Sequence, residues 1–242
     1  MIDRSLNYGR HIIEYFAKQI KDYDSVLDIG AGSGDDLMIY KKVNPYANLY
    51  ALEGYEPNIV KLESKGIKAY NHNLEIDKFP FNSESIDVVN ANQVLEHTKE
   101  IFWIFHEVTR TLKVGGYFVL GVPNLASLHN RILLLFGKQP TSIQNNSAHV
   151  RCFTKSDLLQ FLNIWGGYKV IYFKGSNFYP FPPILAKPLA RLLPNMAWSI
   201  FFLLKKIKRY KDEFIKWPID KRLETNFYVG NRHLLKVVSE LK

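Results

Sequence analysis

The sequence predicts an α/β fold in which a doubly wound, mostly parallel sheet of seven strands is covered by helices on both faces. Short apolar segments with the length of buried strands alternate with segments of about 10–15 residues that have helical periodicity. One of these strands leads directly into a glycine-rich turn and then a helix, as in βαβ units. The chain has 242 residues, of which 47% are hydrophobic, so it can bury a sizeable core and is not expected to be disordered.

Each predicted strand is a short apolar run, and each predicted helix has apolar residues at helical spacing. The clearest helix covers residues 98–112 and is followed by Gly115-Gly116, where the chain turns into the next strand. Taken in order, we predict strands at 25–29, 49–52, 67–70, 86–89, 117–122, 168–173 and 227–229, and helices at 1–22, 35–43, 57–65, 98–112, 125–136 and 155–164.

The segment between the last two predicted strands does not follow this alternation. Within residues 175–210, five prolines interrupt an apolar sequence. We therefore predict a single domain over residues 1–242, with a helical, amphipathic and basic insertion at 175–222 before the last strand.

The charge of the chain is concentrated in that segment. The formal net charge is +9, but residues 187–222 contain ten basic and three acidic residues, a net charge of +7. The remainder, at +2, is close to neutral. A nucleic-acid partner is therefore disfavoured, because proteins that bind single strands interleave aromatic and basic residues along a groove.

Cysteine content and the start of the sequence limit the class of protein further. The single cysteine, Cys152, excludes an intramolecular disulfide framework and any multi-cysteine metal site. With no HExxH motif and no clustered histidines and carboxylates along the sequence, we expect no metal. The first residues contain no apolar run of the kind found in secretory signal peptides, so a cytoplasmic location is expected.

The most informative motif is the glycine turn Gly30-Ala31-Gly32-Ser33-Gly34, which follows the first predicted strand. Glycines at a strand-to-helix turn permit positive φ angles and let a ligand approach the main chain. A dinucleotide-binding fingerprint would place its third glycine at position 35, where this chain has Asp35. The spacing therefore argues against a nicotinamide-dependent oxidoreductase.

Four features in this order resemble the class I S-adenosylmethionine (SAM)-dependent methyltransferases. They are the glycine turn, Glu53 at the end of the second strand, residues 86–97 with their Val-Leu-Glu-His ending, and the Leu-Lys-Val-Gly-Gly turn at 112–116. The resemblance covers residues 20–173 and 225–231. It implies a Rossmann-like methyltransferase fold and SAM as the cofactor.

The resemblance also implies which residues contact the cofactor. Glu53 would accept hydrogen bonds from the ribose hydroxyls, and residues 71–74 would lie near the adenine, with Asn71, Asn73 and Leu74 as alternatives for the contact. Asp28 would either orient the glycine turn or contact the SAM amino group. The implied cofactor-binding residues are Asp28, Gly30, Gly32, Gly34, Glu53, Asn73, Leu74 and Asn92.

Two histidines are candidates for the catalytic base. Methyl transfer to a hydroxyl benefits from a base whose pKa is near neutrality, and histidine fits this requirement. His97 follows the fourth strand, at the sheet edge where open α/β folds bind ligands. His149 lies before the helix at 155–164, and related methyltransferases often have a histidine at this place over the pocket mouth. Either residue could instead be an ordinary loop histidine.

The apolar run at 192–204 has 13 uncharged residues, whereas a membrane-spanning helix needs about 20. Basic residues follow it directly at 205–209, a pattern typical of helices that lie at an anionic membrane surface. We expect residues 178–210 to form either such a peripheral membrane contact on the inner face of the membrane, or a lid or homodimer surface.

Together these observations predict a SAM-dependent methyltransferase that methylates an oxygen atom. The substrate would be a small molecule, a glycan or a lipid-linked compound. The alternatives are an RNA or protein methyltransferase, and a non-catalytic SAM-binding module that docks on membranes.

Overall fold

The computed structural model describes residues 3–231 and residue 233. The described residues form seven strands: β1 Ser25–Ile29, β2 Asn48–Glu53, β3 Lys68–Asn71, β4 Ile86–Asn92, β5 Leu112–Pro123, β6 Tyr168–Ser176 and β7 Ser199–Lys206. They make one sheet with the order β3-β2-β1-β4-β5-β7-β6. Strands β1 to β5 pair in parallel, and β7 pairs antiparallel with both β5 and β6. The prediction of a mostly parallel sheet of seven strands is confirmed.

Helices cover both faces of this sheet. They are α1 Arg10–Gln19, α2 Asp35–Val43, α3 Glu56–Ser64, α4 Ile101–Thr111, α5 Leu128–Leu135, α6 Lys155–Leu162, α7 Pro183–Leu192 and α8 Glu213–Asp220. Apolar residues of α1, α2 and α3 form one buried cluster with the sheet, and those of α4, α6 and α8 form a second. In β1, Val26 belongs to the first cluster, and Leu27 belongs to the second. Successive residues of a strand point to opposite faces of the sheet, so each face packs on its own set of helices. This is the doubly wound arrangement.

The start of the chain differs from the single helix predicted over residues 1–22. A short 3-10 turn spans Arg4–Tyr8, and α1 begins only after Gly9, which has a positive φ of 54°. The glycine separates the two pieces, because it ends the turn in the left-handed conformation. Residues 1–2, 232 and 234–242, which the predicted domain includes, lie outside the described residues.

The prediction of the last strand at 227–229 is wrong. The seventh strand is β7, which lies inside the segment predicted as an insertion. Every residue of β7 is buried except Lys205, because the strand lies between β5 and β6 with helices on both faces. A strand buried on both faces is apolar without alternation, and this explains why its sequence resembles an apolar helix.

The segment 175–222, predicted as one insertion, therefore contains several different elements. Before the last strand, as predicted, there is a helical piece, formed by α7 and a 3-10 turn at Pro194–Met196. The predicted strand residues Phe227 and Tyr228 instead pack on α4, where the amide of Tyr228 donates to Oε2 of Glu100 over 2.6 Å. Among the described helices, none combines the length and the hydrophobicity needed to cross a bilayer.

Candidate active site

The carboxyl ends of β1, β2 and β4 meet at one edge of the sheet, because the three strands are parallel neighbours. The strand order reverses between β1 and β4, since the chain runs outward from β1 to β3 and then returns. The loops that leave the two strands at such a switch point separate, and the crevice between them is the usual ligand site of open α/β sheets.

The glycine turn follows β1 at this edge and is shaped by positive φ angles. Gly30 has a φ of 64°, and a Cβ there would lie 2.7 Å from Val94 Cγ2. Gly32 has a φ of 54°, and a Cβ there would meet no described atom within 4 Å. The turn therefore packs tightly on the segment after β4 at Gly30, and presents its backbone to open space at Gly32.

Glu53, at the end of β2, connects this turn to the next loop. Its Oε2 accepts a hydrogen bond of 2.7 Å from the amide of Gly32, and its Oε1 accepts one of 3.0 Å from the amide of Tyr55. The side chain is half-buried. A carboxylate has about four lone-pair sites, so both oxygens retain acceptor capacity.

Asp28 lies below the turn on β1 and is buried. Its Oδ1 accepts a hydrogen bond of 2.8 Å from the side-chain Nδ2 of Asn90 on β4. Burial raises the pKa of this carboxyl well above its usual value, and the negative charge of Asp36 raises it further. The hydrogen bond that the structure gives Asp28 thus goes to the neighbouring strand rather than to the glycine turn.

Asn92, at the end of β4, lies next to Asp36 and to the N-terminal segment. Its Nδ2 donates to Asp36 Oδ2 over 2.7 Å and to the carbonyl of Tyr8 over 2.9 Å. Among the described residues, its buried Oδ1 has no hydrogen-bond partner. Asn92 therefore holds the N-terminal segment at this edge and keeps one free acceptor.

The segment after β3 forms a turn in which Asn73 is exposed and Leu74 is half-buried. The amide of Asn73 donates to Asp77 Oδ2 over 2.8 Å, and its Oδ1 accepts from the amide of Glu75 over 3.0 Å. His72, one residue earlier, is buried, and its amide donates to the carbonyl of Glu53. No described group bonds its Nε2. The structure thus adds His72 to the polar groups beside Glu53.

Both histidines predicted as candidate bases lie next to each other. His97 ends a 3-10 turn at Leu95–His97 after β4, and His149 lies in the loop before α6. Their ring centroids are 4.8 Å apart. The amides of Val150 and Arg151 donate to the carbonyl of Glu96 over 2.8 and 3.2 Å, so the loop is fastened to the turn.

Hydrogen bonds to carbonyl groups fix the tautomers of these two rings. Nδ1 of His97 lies 3.2 Å from the carbonyl of Ala148, and Nδ1 of His149 lies 2.8 Å from that of Ser142. A carbonyl only accepts, so each Nδ1 carries the proton, and each Nε2 keeps a lone pair in the neutral ring. Burial lowers the pKa of His97, which favours that neutral form.

Glu96 completes this group, and it was not among the residues singled out from the sequence. It is 1% exposed, and burial raises the pKa of its carboxyl to about 8. Its Oε1 lies 3.9 Å from Nε2 of His97, and its Oε2 has no hydrogen-bond partner among the described residues. The signal in the sequence was its place directly before His97, but only the fold brings His149 to both.

A cavity of about 680 Å³ adjoins the residues that directly follow His149. It is lined by Val150, Arg151 and Cys152 together with residues of α4, α6 and α8, and by no residue of the glycine turn. Arg151 does not extend freely into it, since its guanidinium donates to the carbonyls of Thr98 and Lys99. The cavity is therefore separate from the glycine edge.

A family model described as a methyltransferase domain matches residues 4–166, which is more than half of the chain. The chain belongs to the class I SAM-dependent methyltransferases. SAM is the cofactor of this family, and the cofactor prediction is confirmed at that level. The matched residues include the glycine turn, Glu53 and both histidines.

Known proteins resemble this methyltransferase chain in sequence and fold. An uncharacterised methyltransferase of Schizosaccharomyces pombe is 29% identical over 114 residues, which are 43% of this chain and 41% of that protein. The chain thus covers less than half of the curated relatives that it matches. The plantazolicin methyltransferase BpumL, solved with a monoazolic desmethylPZN analogue and S-adenosylhomocysteine (SAH), has a TM-score of 0.59 at 19% identity, over 85% of this chain and 86% of that one.

The 4+2 cyclase SpnF has the same TM-score of 0.59 at 14% identity, over 81% of each chain. At these identities the structural neighbours show the fold alone, and they confirm the Rossmann-like methyltransferase architecture. A cyclase among them shows that this fold alone does not determine the reaction.

Proposed function

We propose that this chain transfers a methyl group from SAM to an oxygen atom of a small molecule, a glycan or a lipid-linked substrate. The observation that carries the proposal is the pair of adjacent imidazoles, His97 and His149, on a turn and a loop that hydrogen bonds hold together. The turn begins beside Val94, which packs on Gly30 of the glycine turn. A cofactor cradle and a proton-accepting group are therefore neighbours along the same sheet edge.

The residues present fit the cofactor. The backbone at Gly32 faces open space, and Glu53 offers acceptor oxygens for ribose hydroxyls beside it. When bound, SAM would supply a methyl group on a positively charged sulfonium sulfur, and SAH would leave as a neutral thioether. The residues proposed to hold SAM are Asp28, Gly30, Gly32, Gly34, Glu53, Asn73, Leu74 and Asn92.

In this proposal, one of the two imidazoles takes the proton of the acceptor hydroxyl. Each Nε2 has a lone pair in the neutral ring, and each ring is held by a hydrogen bond at Nδ1. Held orientation and a basic nitrogen are what general base catalysis requires. A purely non-catalytic SAM-binding module would have no use for such a pair, and the near-neutral body argues against an RNA substrate.

Calorimetry and turnover test the proposal. SAH should bind and NAD should not, and SAH release should be measurable with a panel of hydroxyl acceptors. His149→Ala or His97→Ala should lower turnover about 100-fold while SAH affinity is unchanged. The matched control is His11→Ala, an exposed histidine on α1. Binding of NAD but not SAH, or full turnover by both histidine variants, would contradict the proposal.

A second observation supports a place of action at an anionic membrane surface. Helices α5 and α7 are neighbours, because Leu128 and Leu189 pack on the same small buried cluster. Their outer sides expose large apolar residues, among them Leu135 and Ile184, each 81% exposed. Both helices have basic but no acidic residues. We propose that these two helices dock on an anionic bilayer, with the enzyme peripheral on the inner face of the membrane.

The proposed membrane contact is therefore smaller than the predicted segment 178–210. It excludes β7, which is buried in the sheet, and it consists of α7 together with α5. Lys187 and Arg191 on α7 supply positive charge beside the apolar side chains. Each basic residue near an anionic surface contributes about 1 kcal/mol.

Vesicle flotation tests this surface. The chain should float with vesicles that contain about 30% phosphatidylglycerol and not with pure phosphatidylcholine. Replacing Lys187 and Arg191 by Glu, or Leu135 and Ile184 by Ser, should reduce binding at least about tenfold. Val60→Ser, an exposed apolar residue on α3, is the matched control. If flotation is unchanged, or if the variants instead dissociate a homodimer in sedimentation, the surface is not a membrane contact.

A further inference from the structure

The carboxylate of Glu96 and the imidazoles of His97 and His149 lie together beside the glycine edge. One ligand atom of each lies within 4.8 Å of those of the other two. Glu96 is buried, and its Oε2 has no partner among the described residues. A buried carboxylate oxygen without a partner is costly, so a native structure that keeps one requires a reason.

The two imidazoles are prepared in the way that metal ligands usually are. In metal sites, a ligating histidine donates its other ring N–H to a carbonyl or carboxylate, which fixes the tautomer and the orientation. Here Nδ1 of His97 donates to the carbonyl of Ala148, and Nδ1 of His149 donates to that of Ser142. Both Nε2 atoms are therefore available as neutral ligands.

The backbone around the cluster is also fixed. The carbonyl of Glu96 accepts hydrogen bonds from the amides of Val150 and Arg151. The Arg151 side chain donates to the carbonyls of Thr98 and Lys99 over 3.2 and 2.6 Å. These bonds hold the loop with His149 against the turn with Glu96 and His97. Binding of a ligand therefore costs little backbone conformational entropy.

We propose that Glu96, His97 and His149 bind one divalent transition-metal cation. Two imidazoles and one carboxylate are the protein ligands of catalytic zinc and of non-haem iron sites, and imidazole favours such cations over Mg²⁺ and Ca²⁺. Ligand atoms around a tetrahedral zinc lie about 3.3 Å apart. Glu96 Oε1 and His97 Nε2 are 3.9 Å apart, and the three ligand atoms lie within 4.8 Å of one another. Side-chain rotations on cation binding would therefore have to bring these atoms closer by up to about 1.5 Å.

Three protein ligands leave coordination positions open. An Nε2 lone pair that binds the cation cannot also accept a proton, so with the cation bound neither imidazole would be the base. The cation would instead lower the pKa of a coordinated acceptor hydroxyl, whose proton would pass to solvent. This role rests on the proposed methyl transfer to oxygen, whereas the binding of the cation does not.

Metal titration of the untagged chain tests the site without any turnover assay. After treatment with a chelator, Co²⁺ followed by visible absorption and Zn²⁺ followed by calorimetry should each bind at one per chain, at least 100-fold more tightly than Mg²⁺. His149→Ala and Glu96→Gln should each weaken Zn²⁺ binding at least 100-fold. His11→Ala and Cys152→Ser should leave it unchanged, and the second control excludes the nearby thiol as a ligand.

Two further measurements keep the outcomes distinct. Thermal unfolding of each variant shows whether it is folded, and because Glu96 is buried, His149→Ala in the surface loop serves as the deciding variant. Wild-type chain that binds neither Co²⁺ nor Zn²⁺, or Zn²⁺ binding that survives in folded His149→Ala, would overturn the metal site. Calorimetry with SAH on the same samples separates the two proposals. A chain that binds SAH but neither Co²⁺ nor Zn²⁺ would contradict the metal site and leave the proposed methyl transfer standing.

Discussion

The backbone amide of Gly32 donates a hydrogen bond of 2.7 Å to Oε2 of Glu53, and this bond connects the turn after β1 to the end of β2. The second carboxylate oxygen accepts from the amide of Tyr55, at the start of the next loop. One half-buried acid thus fixes two loops at the sheet edge where the cofactor is proposed to bind. The proposed binding roles of Gly32 and Glu53 are therefore coupled.

The first prediction concerns Glu53. Glu53→Gln should weaken SAH binding about tenfold, and Glu53→Ala about 100-fold, because a hydrogen bond to a charged group contributes about 1.5–3 kcal/mol and Gln retains one acceptor oxygen. Calorimetry with SAH measures the affinities. Glu63→Gln, an exposed acid on α3, is the control. Equal SAH affinity in the wild type and Glu53→Ala would remove Glu53 from the site.

A second prediction compares glycines that have the same backbone conformation. Gly32 and Gly66 both have positive φ, and a Cβ at either position would meet no described atom within 4 Å. Gly32→Ala and Gly66→Ala should therefore each cost about 1 kcal/mol in the free energy of unfolding. Only Gly32→Ala should abolish SAH binding, since its methyl group would enter the proposed cofactor space.

Gly30→Ala provides the contrast. Its Cβ would lie 2.7 Å from Val94 Cγ2, so this variant should lose more stability than the other two, as measured by urea unfolding. If Gly32→Ala binds SAH as Gly66→Ala does, the open space at Gly32 is not the cofactor site.

The part of the fold that could be predicted from the sequence is the part built from local signals. The turn at 30–34 could be placed because a buried strand, glycines and a helix start follow one another within ten residues. Glu53 could be placed because the end of a parallel strand next to such a turn has a fixed location. These features need no knowledge of distant contacts.

The remainder depends on contacts between distant segments. Residues 200–204 of β7 are apolar on both faces, and such a run does not distinguish a central strand from a buried helix. The cluster of Glu96, His97 and His149 exists only in the folded chain, because a loop brings His149 from far along the sequence to the other two residues. Spacing along the sequence cannot show such a cluster, since more than 50 residues separate His97 from His149.

A third prediction concerns acid stability and Glu107 on α4. Burial opposes ionisation of this carboxyl, but hydrogen bonds from Arg110 and His106 outweigh it and lower the pKa to about 2. A folded-state pKa below the value of 4.5 for an unperturbed Glu means that the ionised form stabilises the fold. The stabilisation is complete above pH 4.5 and is lost as the pH falls toward 2.

The difference between the two pKa values corresponds to about 3 kcal/mol. Glu107→Gln should therefore unfold with a free energy about 3 kcal/mol lower than that of the wild type at pH 7, and this gap should narrow between pH 4.5 and pH 2. Urea unfolding at several pH values measures it, with Glu63→Gln as the exposed control. A gap that stays constant across this range would show that the charge of Glu107 is not responsible.

The last prediction separates two adjacent lysines at the end of β7. The sequence placed both in the basic block of the membrane contact, but Lys206 is 0% exposed, and its Nζ donates to the carbonyls of Thr109 and Leu112 at the end of α4. Lys205 is half-buried, with its ammonium over the Tyr117 ring.

Lys206→Met should lower the free energy of unfolding by about 2–3 kcal/mol, because two buried carbonyls lose their donor and a helix C-terminus loses its cation. Lys205→Met should change it by less than about 1 kcal/mol, and Lys206→Met should float with anionic vesicles as the wild type does. Unchanged stability together with weaker flotation of Lys206→Met would instead place this lysine at the membrane.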